Sequence, residues 1–309
     1  MVYNVQKQTV GKLYIEIIAS LNILTEQKES DTMIELPETY VLAEQIENTL
    51  VGKTIKNVVV NAHPHAFAWH SGDSAAYNAM LQGQSISGSN PGTGYTCGGN
   101  TEIICGDFVM VISTPIKYHA PGEKLPKSHQ LLIEFEDDSH MSCTVQMWGA
   151  MLCAPAGEIK NVGNFTNTEL PDPLTDDFNE AYFDSLWSAS KPSLSAKAFL
   201  ATEQRIPGLG NGVLQDVLFN ARIHPKRKLQ DIKAEGKEFL FSSVKSTLKE
   251  MRLGGGRDTE KDLFGKSGAY ATILSKNTVN SPCRVCGSVL VRQAYLGGNI
   301  YFCPSCQAM

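Results

Sequence analysis

The chain has 309 residues, 42% hydrophobic and 19% charged, with 27 Lys+Arg against 32 Asp+Glu and a formal net charge of −5. That length suits two domains with sizeable cores plus an appendage, and the composition is that of an ordinary globular protein. The negative sum argues at first against a polyanion partner, but the distribution reverses that: residues 191–309 carry 18 Lys+Arg and 9 Asp+Glu, a surplus of nine. A module so enriched in cations is the electrostatic footprint of a nucleic-acid binder.

Residues 1–32 read as an extension that is not part of the fold. Leu13–Leu24 is an apolar run broken by Glu16, too short to span a bilayer. Lys7 and Lys12 precede it as in a secretory signal, yet only Thr25–Asp31 follows, with no small-x-small cleavage site. The domain proper is expected to begin at Met33. Leu36-Pro37-Glu38 opens a helix, with Val41, Leu42, Ile46 and Leu50 at helical spacing and Gly52 ending it. Short runs then follow at Thr54–Val60, Gln84–Gly88, Thr101–Cys105, Phe108–Ile112, Gln130–Phe135, Met141–Met147 and Ala150–Cys153, separated by turn-forming residues. Many strands with no helix between them predict an antiparallel sandwich or barrel over 33–155.

Residues 156–173 are rich in Pro, Gly, Asn and Asp and read as a hinge. Beyond it the pattern is helical: Thr175–Ser190, Pro192–Gln204, Asn211–Arg222 and Glu235–Leu253, the last stopped by Gly254-Gly-Gly256. This gives a helical, DNA-binding domain at 174–260 and a loop plus metal finger at 261–309. Ile206-Pro-Gly208-Leu-Gly210-Asn211-Gly212 joins two of these helices. Gly208 and Gly210 permit close approach by a ligand backbone, Asn211 is a good N-cap, and the free N–H groups of the next helical turn suit a phosphate. Arg222, His224, Lys226, Arg227 and Lys228 follow at the far end of that helix.

Cys283-x-x-Cys286 and Cys303-x-x-Cys306 are two thiol pairs at the spacing of a tetrahedral zinc site. Val289–Leu296 and Ile300–Phe302 read as strands around a Gly297-Gly298-Asn299 turn, so the expectation is one structural Zn²⁺ stapling a β-hairpin too small to bury its own core. Cys97, Cys105, Cys143 and Cys153 are scattered without a disulfide framework. With the thiolate site they indicate a reducing, cytoplasmic compartment. His63, His65 and His70 read as a polar loop in preference to a second metal site.

Three stretches together carry a resemblance. Met33-Ile-Glu35-Leu-Pro37-Glu38, Gly208-Leu-Gly210-Asn211 with Ile223-His224-Pro225, and Cys283–Gln307 are similar, in order and spacing, to the formamidopyrimidine-DNA glycosylase / endonuclease VIII family. The resemblance implies a multidomain α and β fold: a helix-led antiparallel β-sandwich N-domain, then a helical helix-two-turns-helix domain with a C-terminal zinc β-hairpin. It also implies a monomer binding damaged double-stranded DNA in the cleft, away from any membrane, and excising bases from an extruded nucleotide with strand nicking. Glu35 matches the family's acid/base carboxylate, and Glu38 is its companion. Gly208, Gly210, Asn211, Arg222, Lys226 and Arg227 are the expected DNA contacts.

The chain departs from that pattern at the nucleophile. The family's amino-terminal proline is Ile34 here, and its nitrogen is an amide that cannot form a Schiff base. The family's lesion-phosphate lysine has no counterpart between Lys56 and Lys117, and Gly298 holds the place of the hairpin arginine. Gln146-Met-Trp148-Gly149 replaces an Arg-rich inserting strand, and Trp148 reads as a core residue in preference to a wedge. These losses leave an alternative, a catalytically silent damaged-DNA-binding protein.

Overall fold

The computed structural model describes residues 34–92, 99–146, 148–159, 170–202 and 205–309. The extension at 1–32, Cys97 and the middle of the expected hinge lie outside the described residues.

Helix α1 (Leu36–Leu50) forms as the sequence dictates: Pro37 presets the first turn, and the Glu38 carboxylate accepts the Glu35 N–H at 3.2 Å. Leu42, Ile46 and Leu50 recur once per turn on one face and are at most 1% exposed. The elements that follow are β1 (Ile55–Val60), β2 (Ala68–His70), α2 (Tyr77–Leu81), β3 (Ile86–Pro91), β4 (Thr101–Cys105), β5 (Phe108–Ile112), β6 (Ile116–His119), β7 (Leu131–Phe135), β8 (His140–Cys143) and β9 (Gly149–Pro155). They make two sheets, ordered β1-β7-β8-β6 and β2-β9-β5-β4-β3. Inward residues of both, such as Ile133, Phe135, Ile103 and Met110, share one core with α1. Strands β4 and β7 alternate buried and half-buried residues with period two.

The sandwich differs in detail from its expectation. Strand β2 pairs parallel with β9, and α2 interrupts the strands. Neither announces itself: β2 has three residues, and α2 is a single turn in which only Tyr77 and Leu81 are buried. Strand β6 was likewise not anticipated. The strand expected at 84–88 runs over Ile86–Pro91, with its register shifted between Ile86 and Gly88, and the one expected at 141–147 ends at Cys143.

The second half comprises α3 (Glu180–Ala189), α4 (Ala196–Ala201), α5 (Asn211–Asn220) and α6 (Ala234–Leu253). Asn179 caps α3 by accepting from Tyr182 N–H, and Ser195 caps α4, leaving Pro192 outside the helix it was expected to open. Phe178, Phe183, Phe199, Val213, Leu214, Leu240 and Val244 form a second core, and Leu36 of α1 belongs to it. One helix therefore contributes to both cores: Leu42, Ile46 and Leu50 face the sheets, as does Ile34 just before it, while Leu36 faces the helices. Complete burial of Leu36 stabilises this junction by about 2 kcal/mol.

Strands β10 (Val291–Tyr295) and β11 (Gly298–Phe302) close the chain as a hairpin whose last pair is Tyr295 with Gly298. Its turn is therefore Leu296-Gly297, both at positive φ (50° and 71°), one step earlier than expected. Gly298 and Asn299 lie in β11. Among the described residues no helix is long and apolar enough to cross a membrane.

Candidate functional site

The tip of α5 is where the two halves meet. Leu36 N–H donates to Gly208 O at 2.8 Å, with Gly208 at φ 70°. The Glu35 carboxylate accepts from the N–H groups of Gly210 (3.0 Å), Gly212 (2.7 Å) and Val213 (2.8 Å). The glycines are needed because this approach leaves no room for side chains. A Cβ on Gly210 would lie 2.6 Å from Glu35 Cδ, and one on Gly99 would lie 2.7 Å from Ile34 O. Gly210 itself is the N-cap of α5, and Asn211 is the first helical residue. The turn permits close approach, and in the free chain it is the Ile34–Leu36 segment that approaches. The helix tip already holds an anion, because a carboxylate with three N–H donors satisfies the orphan amides and the positive dipole end that a phosphate would take.

Behind Glu35 sits a buried charge cluster that sequence reasoning missed. Arg257 follows Gly255 and Gly256, at φ 68° and 95°, and is 2% exposed. Its Nε and Nη2 donate to the two oxygens of Glu38 at 3.0 and 2.8 Å, and its backbone N–H donates to Glu38 Oε1 at 3.1 Å. Nη1 stands 3.5 Å from Glu35 Oε1, and Nη2 stands 3.9 Å from Glu260 Oε1. Burial pushes the Glu35 carboxyl up, against the opposing pull of Arg257 and the Val213 and Gly212 N–H groups. Burial likewise pushes Glu260 up, to about 8, despite Arg257. The carboxylates around Arg257 hold its own pKa well above the usual value.

The four cysteines converge as their spacing indicated. The Sγ atoms of Cys283, Cys286, Cys303 and Cys306 all lie within 4.8 Å of one another, with Cys286–Cys303 at 3.3 Å and Cys283–Cys306 at 3.9 Å. Tetrahedral thiolates about 2.3 Å from a metal would sit roughly 3.8 Å apart, so the donor set fits a metal ion. Backbone N–H groups of Val285 and Cys306 point at Cys283 Sγ (3.5 Å) and Cys303 Sγ (3.4 Å). A small core of Phe219, Ile273, Leu274, Leu290 and Tyr301 seats the cluster against α5.

Side chains of α5 hold the hairpin. Gln215 accepts from Tyr301 N–H at 3.0 Å, and Asn211 Nδ2 donates to Asn299 O at 3.0 Å. Gln307 bridges Cys303 N–H to Ile223 O. Asn211 thus spends its amide on the hairpin and not on capping its own helix. The expected cations scatter around that seam: Arg222 is exposed at φ 55°, Lys226 stacks 5.0 Å from the Tyr295 ring centroid, and Arg227 donates to Ala308 O. Lys197, which the sequence reading did not single out, donates to Tyr295 O at 2.6 Å and is buried beside Gly298. Burial pulls its amine down to about 8. Trp148 is half-buried with its ring 6.0 Å from that of Trp69. The histidines of the 63–70 loop do not converge: His63 meets His129, and His70 meets Tyr77.

Comparison with known proteins agrees with this geometry. Residues 170–260 match the formamidopyrimidine-DNA glycosylase H2TH domain. The chain is 25% identical over 283 residues to the formamidopyrimidine-DNA glycosylase of Bacillus cereus, covering 89% of this chain and 99% of that protein. It is 32% identical over 148 residues to the Wolbachia enzyme of the same name, over 47% of this chain and 54% of that one. The MutM (Fpg) protein of Thermus thermophilus superposes with a TM-score of 0.71 at 20% identity, covering 88% of this chain and 98% of its own. Lactococcus lactis Fpg, solved in complex with abasic-site DNA, gives 0.71 at 21% identity, covering 89% and 100%. Residues 170–260 thus match the H2TH domain of formamidopyrimidine-DNA glycosylases, and the chain is similar to these proteins along nearly all of its length.

Proposed function

We propose that this protein is a base-excision repair protein that binds damaged duplex DNA and releases the damaged base. The observation that carries the reading is the superposition, over 89% of this chain and 100% of the other, on Lactococcus lactis Fpg solved with abasic-site DNA. The surplus of cations in the same half supports it, since phosphate neutralisation by Lys and Arg supplies most of the affinity for a duplex. Lys197, Lys226 and Arg227, grouped where α4, α5 and the hairpin meet, are the proposed backbone contacts. Zinc is the proposed ion of the four-cysteine cluster. Held by Cys283, Cys286, Cys303 and Cys306, it would supply folding free energy to the hairpin and no chemistry. A monomer in a reducing, cytoplasmic compartment completes the reading.

Glu35 is the proposed acid/base carboxylate. Its oxygens accept hydrogen bonds from N–H donors, so in this arrangement it acts as a carboxylate beside positive charge developing on a sugar. Strand nicking by an amine is a separate matter. Ile34 is 4% exposed, and its nitrogen, bonded to Met33, is a peptide nitrogen with a delocalised lone pair. That observation favours a second reading for the lyase step alone: binding and excision without Schiff-base chemistry.

Single-turnover incubation with a formamidopyrimidine-containing duplex separates the two. The expected result is base release revealed as strand breaks after hot alkali, with no borohydride-trapped adduct while residue 34 is internal. No release with intact lesion binding would leave a silent binder. An efficient trapped adduct would show that an amine of this chain does serve as nucleophile.

A further inference from the structure

We propose that Arg257 is the positioning residue for Glu35, fixing that carboxylate across the junction between α1 and the tip of α5. The guanidinium enters the junction because two left-handed glycines, Gly255 and Gly256, turn the chain sharply after α6. The backbone there is closely packed: a Cβ on Gly268 would lie 2.0 Å from Gly256 O. Glu38 then engages Nε and Nη2 as a fork, using both of its oxygens and accepting the Arg257 N–H as well. With that edge of the guanidinium taken, Nη1 faces Glu35 Oε1 at 3.5 Å.

The surroundings keep this path clear. A Cβ on Gly212 would fall 1.9 Å from Arg257 Nη1 and 2.9 Å from Glu35 Oε1, so the helix presents a bare backbone where the two groups meet. The ionisable groups facing Glu35 are Glu38 on its own helix and Arg257 after α6, with Glu260 beyond the guanidinium. Glu35, Glu38 and Glu260 are each at most 5% exposed, and Arg257 is the cation they share. A small pocket lined by Glu38, Gly256, Arg257, Glu260, Lys261 and Asp262 opens beside them. Lysine could supply the charge but not the fork, because one ammonium cannot span both Glu38 oxygens and still face Glu35 in a fixed plane.

The catalytic half of this inference rests on the excision reading above; the positional half does not. Protein labelled with [δ-13C]glutamate, the Glu35 signal assigned by its loss in Glu35→Gln, reports that carboxyl directly with no DNA present. Arg257→Gln is expected to raise the Glu35 titration midpoint by about one pH unit or more, and Arg257→Lys by less. In single-turnover excision Arg257→Gln should lose 10- to 100-fold in rate with less than a threefold change in duplex affinity, and the acid limb of its pH profile should move up with the midpoint. Arg257→Lys should recover part of the rate. If Arg257→Gln does not fold, the Lys variant carries the test through its intermediate midpoint. An unmoved Glu35 midpoint in the folded variant overturns the proposal. A wild-type protein that excises nothing, with the midpoint shifted as described, overturns the excision reading and leaves the positioning intact.

Discussion

The Oε1 atom of Glu35 accepts a hydrogen bond of 2.7 Å from the N–H of Gly212, 177 residues further along the chain. That contact and its two neighbours convert a glycine-rich helix connector into a joint between the β-sandwich and the helices. It also fixes what Gly210 and Gly212 are for: bare backbone where the Glu35 carboxylate sits.

Gly212 is a helical residue, where alanine would ordinarily be favoured by about 0.5–1 kcal/mol. Here the added methyl would collide with Arg257 Nη1 and Glu35 Oε1. Gly212→Ala should therefore destabilise the protein by about 2 kcal/mol or more in urea unfolding. Gly157→Ala, whose Cβ meets nothing within 4 Å, should stay within about 0.5 kcal/mol of wild type. Equal stability of the two variants would mean that the junction is looser than described.

Glu260 makes the fold pH-sensitive. Its carboxyl sits at about 8 in the folded chain against an ordinary value of 4.5, because burial outweighs the attraction of Arg257. Between those values the folded state holds a proton that the unfolded state has lost, so stability falls as pH rises from 4.5 to 8 and levels off above. Glu260→Gln removes this loss. Its advantage over wild type should grow from pH 4.5 to 8 at about 1.4 kcal/mol per pH unit at most, reaching a few kcal/mol. Chemical denaturation at a series of pH values reads the slope; parallel curves for the two proteins would contradict it.

The metal finger should behave as a separable unit. Chelation, or Cys303→Ser, is expected to release one equivalent of zinc and expose the hairpin amides to hydrogen exchange while β1–β9 stay protected. Duplex binding should go with the metal. Binding that survives a metal-free hairpin would remove the finger from the interface.

Asn211→Ala should weaken binding to every duplex by a similar factor, as the loss of a contact that positions the backbone does. The structure gives the route: Asn211 Nδ2 holds Asn299 O, so the substitution also loosens β11 where it meets Lys197. A fluorescence titration with damaged and undamaged duplexes checks this, and a change confined to one sequence would place Asn211 on a base.

Much of this was legible in the chain, and the reasons differ by element. The paired C-x-x-C spacing specifies its own geometry, so the thiol cluster could be read directly. Helix α1 carries its start signal and periodicity within a few residues. The glycine turn announced close approach but could not name its partner, because Glu35 lies 175 residues before Gly210. Nothing local marks Arg257 after its glycine run, and only the fold brings Glu38 to it. The hairpin turn was misplaced by one step because Leu296 takes a left-handed conformation that its side chain gives no reason to expect.

The most direct test of the account is a binding titration of zinc-loaded protein with an abasic-site duplex and its intact counterpart, over a range of salt. The account predicts tighter binding to the abasic duplex, with log affinity for both falling linearly as log salt rises. Failure to bind either duplex at low ionic strength would contradict it.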